Sequence, residues 1–322
     1  MNEDEGRASN LAAADIFCDW FDVGVVRNRP YSYDASLVCT SDLTDRHWFL
    51  PGLLPWLEED VIRNRGEAAR QELLARALVF FLDYTTTLEI KIVNRAVTTI
   101  ALDELGMGIP QQIKMAGLQL YTDEAYHAVI SADVSNQIAK RYTIGNRDVS
   151  DERVFKLSAL IHAVDEEYRS LAWFVVGFVS ETVITKEFLT IAESTIVEPV
   201  LNMLRDHLSD ELKHTQYFSH VFHYIWERSS DSQKKFIGQF LPTVIWEFFR
   251  LHSSWLLNNL LLIGIDHSNA FLIHERLQTD ALHRKRAQTG SAATFAALRR
   301  SGYLKSSYNL KKLIDAGILN GR

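Results

Sequence analysis

Cysteine, proline and glycine are all scarce in this chain of 322 residues, at two, six and fifteen respectively. The two cysteines, Cys18 and Cys39, have no Cys-x-x-Cys spacing. That excludes a disulfide framework or a thiolate zinc site and suits reduced thiols in a cytoplasmic protein. Long stretches without glycine or proline argue against a strand-and-turn architecture and for long helices. No apolar run approaches the roughly 20 residues a bilayer requires. The longest, Leu171 to Val179 and Leu260 to Ile265, imply no membrane partner. The opening MNEDEGRASN is acidic and polar, unlike a secretory signal. A net charge of -7 argues against nucleic acid as a partner.

Hydrophobic residues make up 47% of the chain, enough for a substantial core. The expected fold is an all-α helical bundle with additional helices at both ends. Residues 1–63 form an N-terminal extension, with a short helix over 11–21 and two prolines around Trp48 to Trp56. Residues 64–265 form the bundle, and 266–322 are a basic helical segment of the same domain. Apolar positions recurring every three or four residues predict helices over about 64–105, 110–142, 150–193 with a break near Arg169, 195–228 and 233–263. From Ala281 onward, nine Lys/Arg face one acid, Asp315. Such a segment packs on the acidic remainder of the chain or docks an acidic partner.

Within the bundle, two Glu-x-x-His pairs stand out, Glu124/His127 and Glu211/His214. Two such pairs are not rare by count in a chain with 11 histidines; their setting carries the inference. Residues three apart share a helix face. Each pair follows a lone glutamate at a similar distance, Glu89 by 35 residues and Glu181 by 30. Glu181 is the only charge in the stretch Leu171 to Thr185, so it needs a buried partner, either a metal or an arginine from another helix. Four carboxylates converging inside a bundle would be prohibitively costly without counter-charge. Two divalent cations resolve this, and one Glu from each of two helices plus Glu-x-x-His from each of the other two is the ligand plan of di-iron and di-manganese carboxylate bundles. His207 precedes Glu211 by four and His214 by seven, placing all three on one face. Mixed carboxylate and imidazole donors suit iron, and manganese next, better than zinc.

At these residues the chain resembles the ferritin-like di-iron N-oxygenases of the p-aminobenzoate N-oxygenase (AurF/CmlI) type. The resemblance rests on Glu89, Asp-Glu124-Ala-Tyr-His127, Ser-Glu181-Thr and Asp-His207-Leu-Ser-Asp-Glu211-Leu-Lys-His214, and covers about residues 65–265. It implies that Glu89, Glu124, His127, Glu181, His207, Glu211 and His214 are ligands to two iron ions. It also implies a homodimer that activates O2 with electrons from an external donor protein. The substrate would be an aryl amine or amino-acid-derived amine of secondary metabolism, free or carrier-tethered, oxidised to hydroxylamine, nitroso or nitro products. Two other readings use the same residues: a C-H hydroxylase, desaturase or radical-forming oxidase, and a non-catalytic iron-binding or storage protein.

Substrate-lining residues are expected on the faces that carry the ligands: Tyr84, Leu88, Ile92, Leu120, Tyr121, Phe178, Thr185, Phe218 and Val221. No arginine can be placed beside the site by helical azimuth alone.

Overall fold

A computed structural model describes residues 15–145, 147, 152–191 and 195–320. Among them there is no strand; a single bridge joins His47 to Ile196. The helices are α1 (Trp20–Val23), α2 (Asp60–Arg63), α3 (Glu67–Leu88), α4 (Asn94–Ala101), α5 (Gln111–Arg141), α6 (Glu152–His162), α7 (Arg169–Ile191), α8 (Glu198–Arg228), α9 (Asp231–Phe248), α10 (Ser253–Leu262), α11 (His267–Leu277), α12 (Asp280–Gly290), α13 (Ala292–Arg300) and α14 (Ser307–Asp315). None is long and apolar enough to cross a membrane.

Four helical rods form the bundle. The α3–α4 rod packs along α5, α4 packs on α7, α7 on α8, and α8 returns to α5. Local chemistry explains their ends. Gly66, with φ +85°, precedes α3, Pro110 precedes α5, and Pro199 sits in the first turn of α8, where its missing N–H has no helical partner to lose. From Leu171 to Val183 every residue of α7 is buried, as expected for a helix apolar on all sides.

The periodicity predicts one helix over 64–105, and the structure divides it. Residues Glu89–Val93 form a π-helical turn between α3 and α4. Just before it, the hydroxyls of Thr86 and Thr87 donate to the carbonyls of Leu82 and Asp83, a back-bonding that loosens a helix. A π turn inserts an extra residue and resets the azimuth of the next helical segment, a device concentrated at functional sites. The helix expected over 233–263 is also two helices, α9 and α10, separated by residues 249–252. No glycine or proline marks that break. Its outcome is packing, because His252 turns edge-on to Phe80 with ring centroids 4.7 Å apart. Of the helix expected over 11–21, residues 11–14 lie outside the described residues, and the described remainder is helical mainly from Trp20.

Two apolar cores flank a polar layer. One gathers Leu88, Ile92, Leu120, Phe178, Phe218 and Val221 with C-terminal residues such as Phe295 and Tyr303. The other gathers Trp48 and Leu57 of the N-terminal segment with Leu78, Ile130, Val134 and Leu204 of the bundle helices. Where α4 meets α7 there is no room to spare: a Cβ on Gly177 would lie 2.3 Å from the Ala96 Cβ. Gly177→Ala should therefore destabilise the fold by about 1–3 kcal/mol, despite alanine's better helix propensity. A denaturant midpoint unchanged from wild type would contradict this contact.

Candidate metal centre

Between the two cores, the polar residues of the four rods face one another. Glu89 comes from the π turn, Glu124 and His127 from α5, Glu181 from α7, and His207, Glu211 and His214 from α8. All seven are buried. Glu211 Oε1 is the hub, 3.0 Å from His207 Nε2, 3.5 Å from His127 Nδ1 and 3.6 Å from His214 Nδ1. Glu89 Oε1 lies 3.1 Å from His207 Nε2, and Glu124 Oε1 lies 2.7 Å from His214 Nδ1. Glu181 Oε2 stands 3.7 Å from His214 Nδ1. No arginine enters the layer among these contacts.

Two overlapping groups have donor atoms within 4.8 Å of one another: Glu89, His127, His207 and Glu211, and Glu124, His127, Glu211 and His214. Both carboxylate oxygens of Glu89 and of Glu124 are buried without a well-directed hydrogen bond, as is Nδ1 of His127 and of His214. Buried polar atoms in native proteins are ordinarily satisfied. Oxygen and imidazole donors left over in this way, pointing at one another, fit divalent metal ions, which answer both their lone pairs and their charge.

The electrostatics agree. Burial pushes the Glu89 carboxyl up to about 8, with His207 pulling the other way. Burial and the charges of Glu211 and Glu124 hold the Glu181 carboxyl well above its ordinary range. Burial would also raise Glu211, but His127, His207 and His214 outweigh it and hold that carboxyl well below the ordinary value. Burial opposes charge on His127, yet Asp210 and Glu211 lift it to about 10. Protons alone can balance the layer only by titrating several groups far from their ordinary ranges, which is the usual mark of a functional site.

Two aspartates complete the arrangement. Each directly precedes a motif glutamate, and each serves the histidine of the opposite helix. His127 Nε2 donates to Asp210 Oδ2 at 3.1 Å, and His214 Nε2 donates to Asp123 Oδ2 at 3.4 Å. An imidazole whose Nε2 carries the proton presents the Nδ1 lone pair to the layer, the usual way a metal-binding histidine is oriented. Neither Asp123 nor Asp210 is among the site residues expected from sequence, although the repeated Asp-Glu-x-x-His is the signal that could have found them.

A comparison with protein families places residues 32–297 under the profile described as P-aminobenzoate N-oxygenase AurF. The chain belongs to the AurF family. No curated protein matches it. Membership of the AurF family makes the chain an N-oxygenase, an oxidoreductase, and its all-α bundle ferritin-like. The bundle carries a buried glutamate and histidine cluster able to hold metal.

The expected substrate lining divides. Leu88, Ile92, Leu120, Phe178, Phe218 and Val221 are buried in the apolar core. Tyr121 is a correction: it is 43% exposed, because one residue beyond the inward Leu120 turns the side chain about 100° out of the bundle. The side chain of Thr185 lies outside the described residues. Tyr84 borders an open cavity of about 240 Å³, where Phe80, Trp255, His252, Arg153 and Arg286 also meet. A second cavity of about 440 Å³ shares Trp56, Phe249 and Arg286 with it and adds Lys285. The Arg153 guanidinium lies 5.0 Å over the Tyr84 ring. Neither Arg153 nor Arg286 has a carboxylate partner among the described residues. Burial, and then the charge of Arg153, lower the affinity of Arg286 for its proton. Burial and the same cationic surroundings hold His252 down at about 2. The cleft is thus aromatic on its walls and short of negative charge.

Proposed function

We propose that Glu89, Glu124, His127, Glu181, His207, Glu211 and His214 hold two iron ions, and that the chain oxygenates the nitrogen of an aromatic amine carrying an acidic group. The observation that carries this reading is the place of the Glu211 carboxylate, with His127, in both metal-competent groups, inside a chain of the AurF family. A carboxylate shared in this way is suited to bridge two cations, whose four positive charges match four carboxylates beside three neutral imidazoles. Manganese shares these donor preferences; the family favours iron. When bound, two Fe(II) ions would supply two electrons and open coordination positions for O2.

The chain's own residues do the rest. Asp123 and Asp210 hold His214 and His127 in the ligating tautomer. The two apolar cores keep bulk water from the layer. Tyr84 lies five residues before Glu89 on the same rod, a rise of about 7.5 Å, and borders the aromatic cleft. Arg153 and Arg286, which have no carboxylate partner among the described residues, offer two cations to a substrate carboxylate, and Phe80, Tyr84 and Trp255 offer ring faces to an aryl group. An external donor protein returns the centre to its reduced state. The working form is a homodimer in the cytoplasm, where the exposed free thiols Cys18 and Cys39 stay reduced.

The test is turnover under ¹⁸O₂ with a panel of arylamines and amino acids, read by product mass. Labelled oxygen on nitrogen supports the reading; labelled oxygen on carbon only, or iron accumulation without product, contradicts it. Arg286→Ala should raise KM for an acid-bearing arylamine by about 10- to 100-fold, the worth of a hydrogen bond to a charged group. It should leave kcat within a few-fold. An equal loss with a neutral arylamine would show that Arg286 shapes the fold rather than the recognition.

A further inference from the structure

The two Asp-Glu-x-x-His halves are not equivalent. Asp210, which serves His127, has no second side-chain partner among the described residues. Asp123, which serves His214, accepts from the indole Nε1 of Trp20 through its other oxygen, at 2.7 Å. Trp20, Asp123 and His214 therefore form a hydrogen-bonded chain that ends at His214 Nδ1, 2.7 Å from Glu124 Oε1 in the metal layer. All three side chains are buried. The outer end is shallow: the next residue, Phe21, is 58% exposed and Val23 is 52% exposed, and Asp19 is tied to Lys213 of α8 at 2.8 Å. Orienting an imidazole requires only the carboxylate, as Asp210 demonstrates. The indole adds a large, easily ionised π system joined to the metal layer by hydrogen bonds. Electron tunnelling decays steeply with distance and more slowly through such bonds than across packing gaps.

We propose that Trp20, Asp123 and His214 are the route by which a one-electron donor, a reduced iron–sulfur protein or flavin, reduces the ferric metal pair. This rests on the two-iron reading above. Each passage takes one electron from the donor and converts one Fe(III) to Fe(II); two passages reduce the pair. No bond in the protein is made or broken, and the indole N–H and imidazole N–H keep their protons. Trp20 touches neither metal nor substrate.

The experiment is anaerobic stopped-flow reduction of the diferric protein by reduced methyl viologen, followed by loss of ferric absorbance. Iron content and melting temperature are measured on the same samples. Trp20→Phe should bind the wild-type amount of iron, melt as wild type, and be reduced about tenfold or more slowly. Trp20→Tyr should recover part of the rate. Trp48→Phe, which removes a buried indole outside the metal layer whose Nε1 donates to Tyr142 at 2.7 Å, should change the reduction rate little. Reduction of Trp20→Phe at the wild-type rate overturns the proposal. So does a slow rate that tracks lost iron, because Trp20 would then act only by positioning Asp123. Wild-type protein that holds no iron pair overturns the two-iron reading itself, and the iron count made before reduction separates that failure from the others.

Discussion

Glu211→Ala should yield a helical protein that retains almost no iron, whereas Glu89→Ala and Glu181→Ala should each retain about one ion per chain. The difference comes from geometry. Glu211 Oε1 is within 3.0–3.6 Å of ring nitrogens of all three histidines, and Glu211 is the one carboxylate in both metal-competent groups, which also share His127. Glu89 belongs to one group, and Glu181 stands beside the second, 3.7 Å from His214 Nδ1, without being a member of either. Removing Glu211 also deletes the anion that keeps His127, His207 and His214 receptive to positive charge, so a cation loses both a ligand and the field that attracts it. N-oxygenation should fall to background. Helical content by circular dichroism identifies a variant that has failed to fold. Metal analysis showing two tightly held ions in Glu211→Ala would contradict the bridging role, as would one ion each in all three variants.

Metal removal should lower the melting temperature by about 10 °C at pH 8. Free metal at a hundred times its dissociation constant stabilises by about 2.7 kcal/mol per site, and two sites give about 5 kcal/mol. For a chain of this size each kcal/mol corresponds to about 2 °C. The gap should be smaller at pH 6, and the sign comes from the protons. Glu89 is raised from 4.5 to about 8 in the fold, so its protonated form favours folding at low pH, and this contribution is lost as pH rises through about 8. His127, raised from 6.5 to about 10, behaves alike over a higher window. Glu211, held well below its ordinary value, opposes them only at acid pH, where its contribution is lost as it protonates. Metal-free protein thus loses stability from pH 6 to 8, while metal binds more tightly there because fewer protons compete for the donors. Differential scanning of loaded and chelated protein at both pH values checks this. Equal melting temperatures, or a gap that closes as pH rises, would count against a metal within the layer.

Much of this layer was legible in the sequence because its signals are periodic and chemical. Glu-x-x-His three residues apart must share a helix face. Glu181, alone in an apolar run, had to be answered by something buried, and His207 fell on the face already defined by Glu211 and His214. The π turn at Glu89 was not legible, since inserting one residue leaves no mark in a pattern that stays apolar through Ile92 and Val93. The break at residues 249–252 was hidden for a similar reason: no local breaker marks it, and what it achieves, His252 edge-on to Phe80, is a tertiary contact. Arg153 and Arg286 come from α6 and α12, and only the packing of those helices brings them to one cleft. Tyr121 shows the cost of a one-residue azimuth error. Asp123 and Asp210 were in plain view beside the motif glutamates, but their service to the opposite histidines depends on how α5 faces α8.

Enclosure of two iron ions by these seven side chains can be seen by diffraction from crystals of iron-loaded protein at the iron absorption edge. Two anomalous peaks about 3.5–4 Å apart, with Glu211 between them and the other six residues around them, are predicted. A single peak, or iron bound elsewhere with the layer empty, would contradict a two-iron centre at these residues.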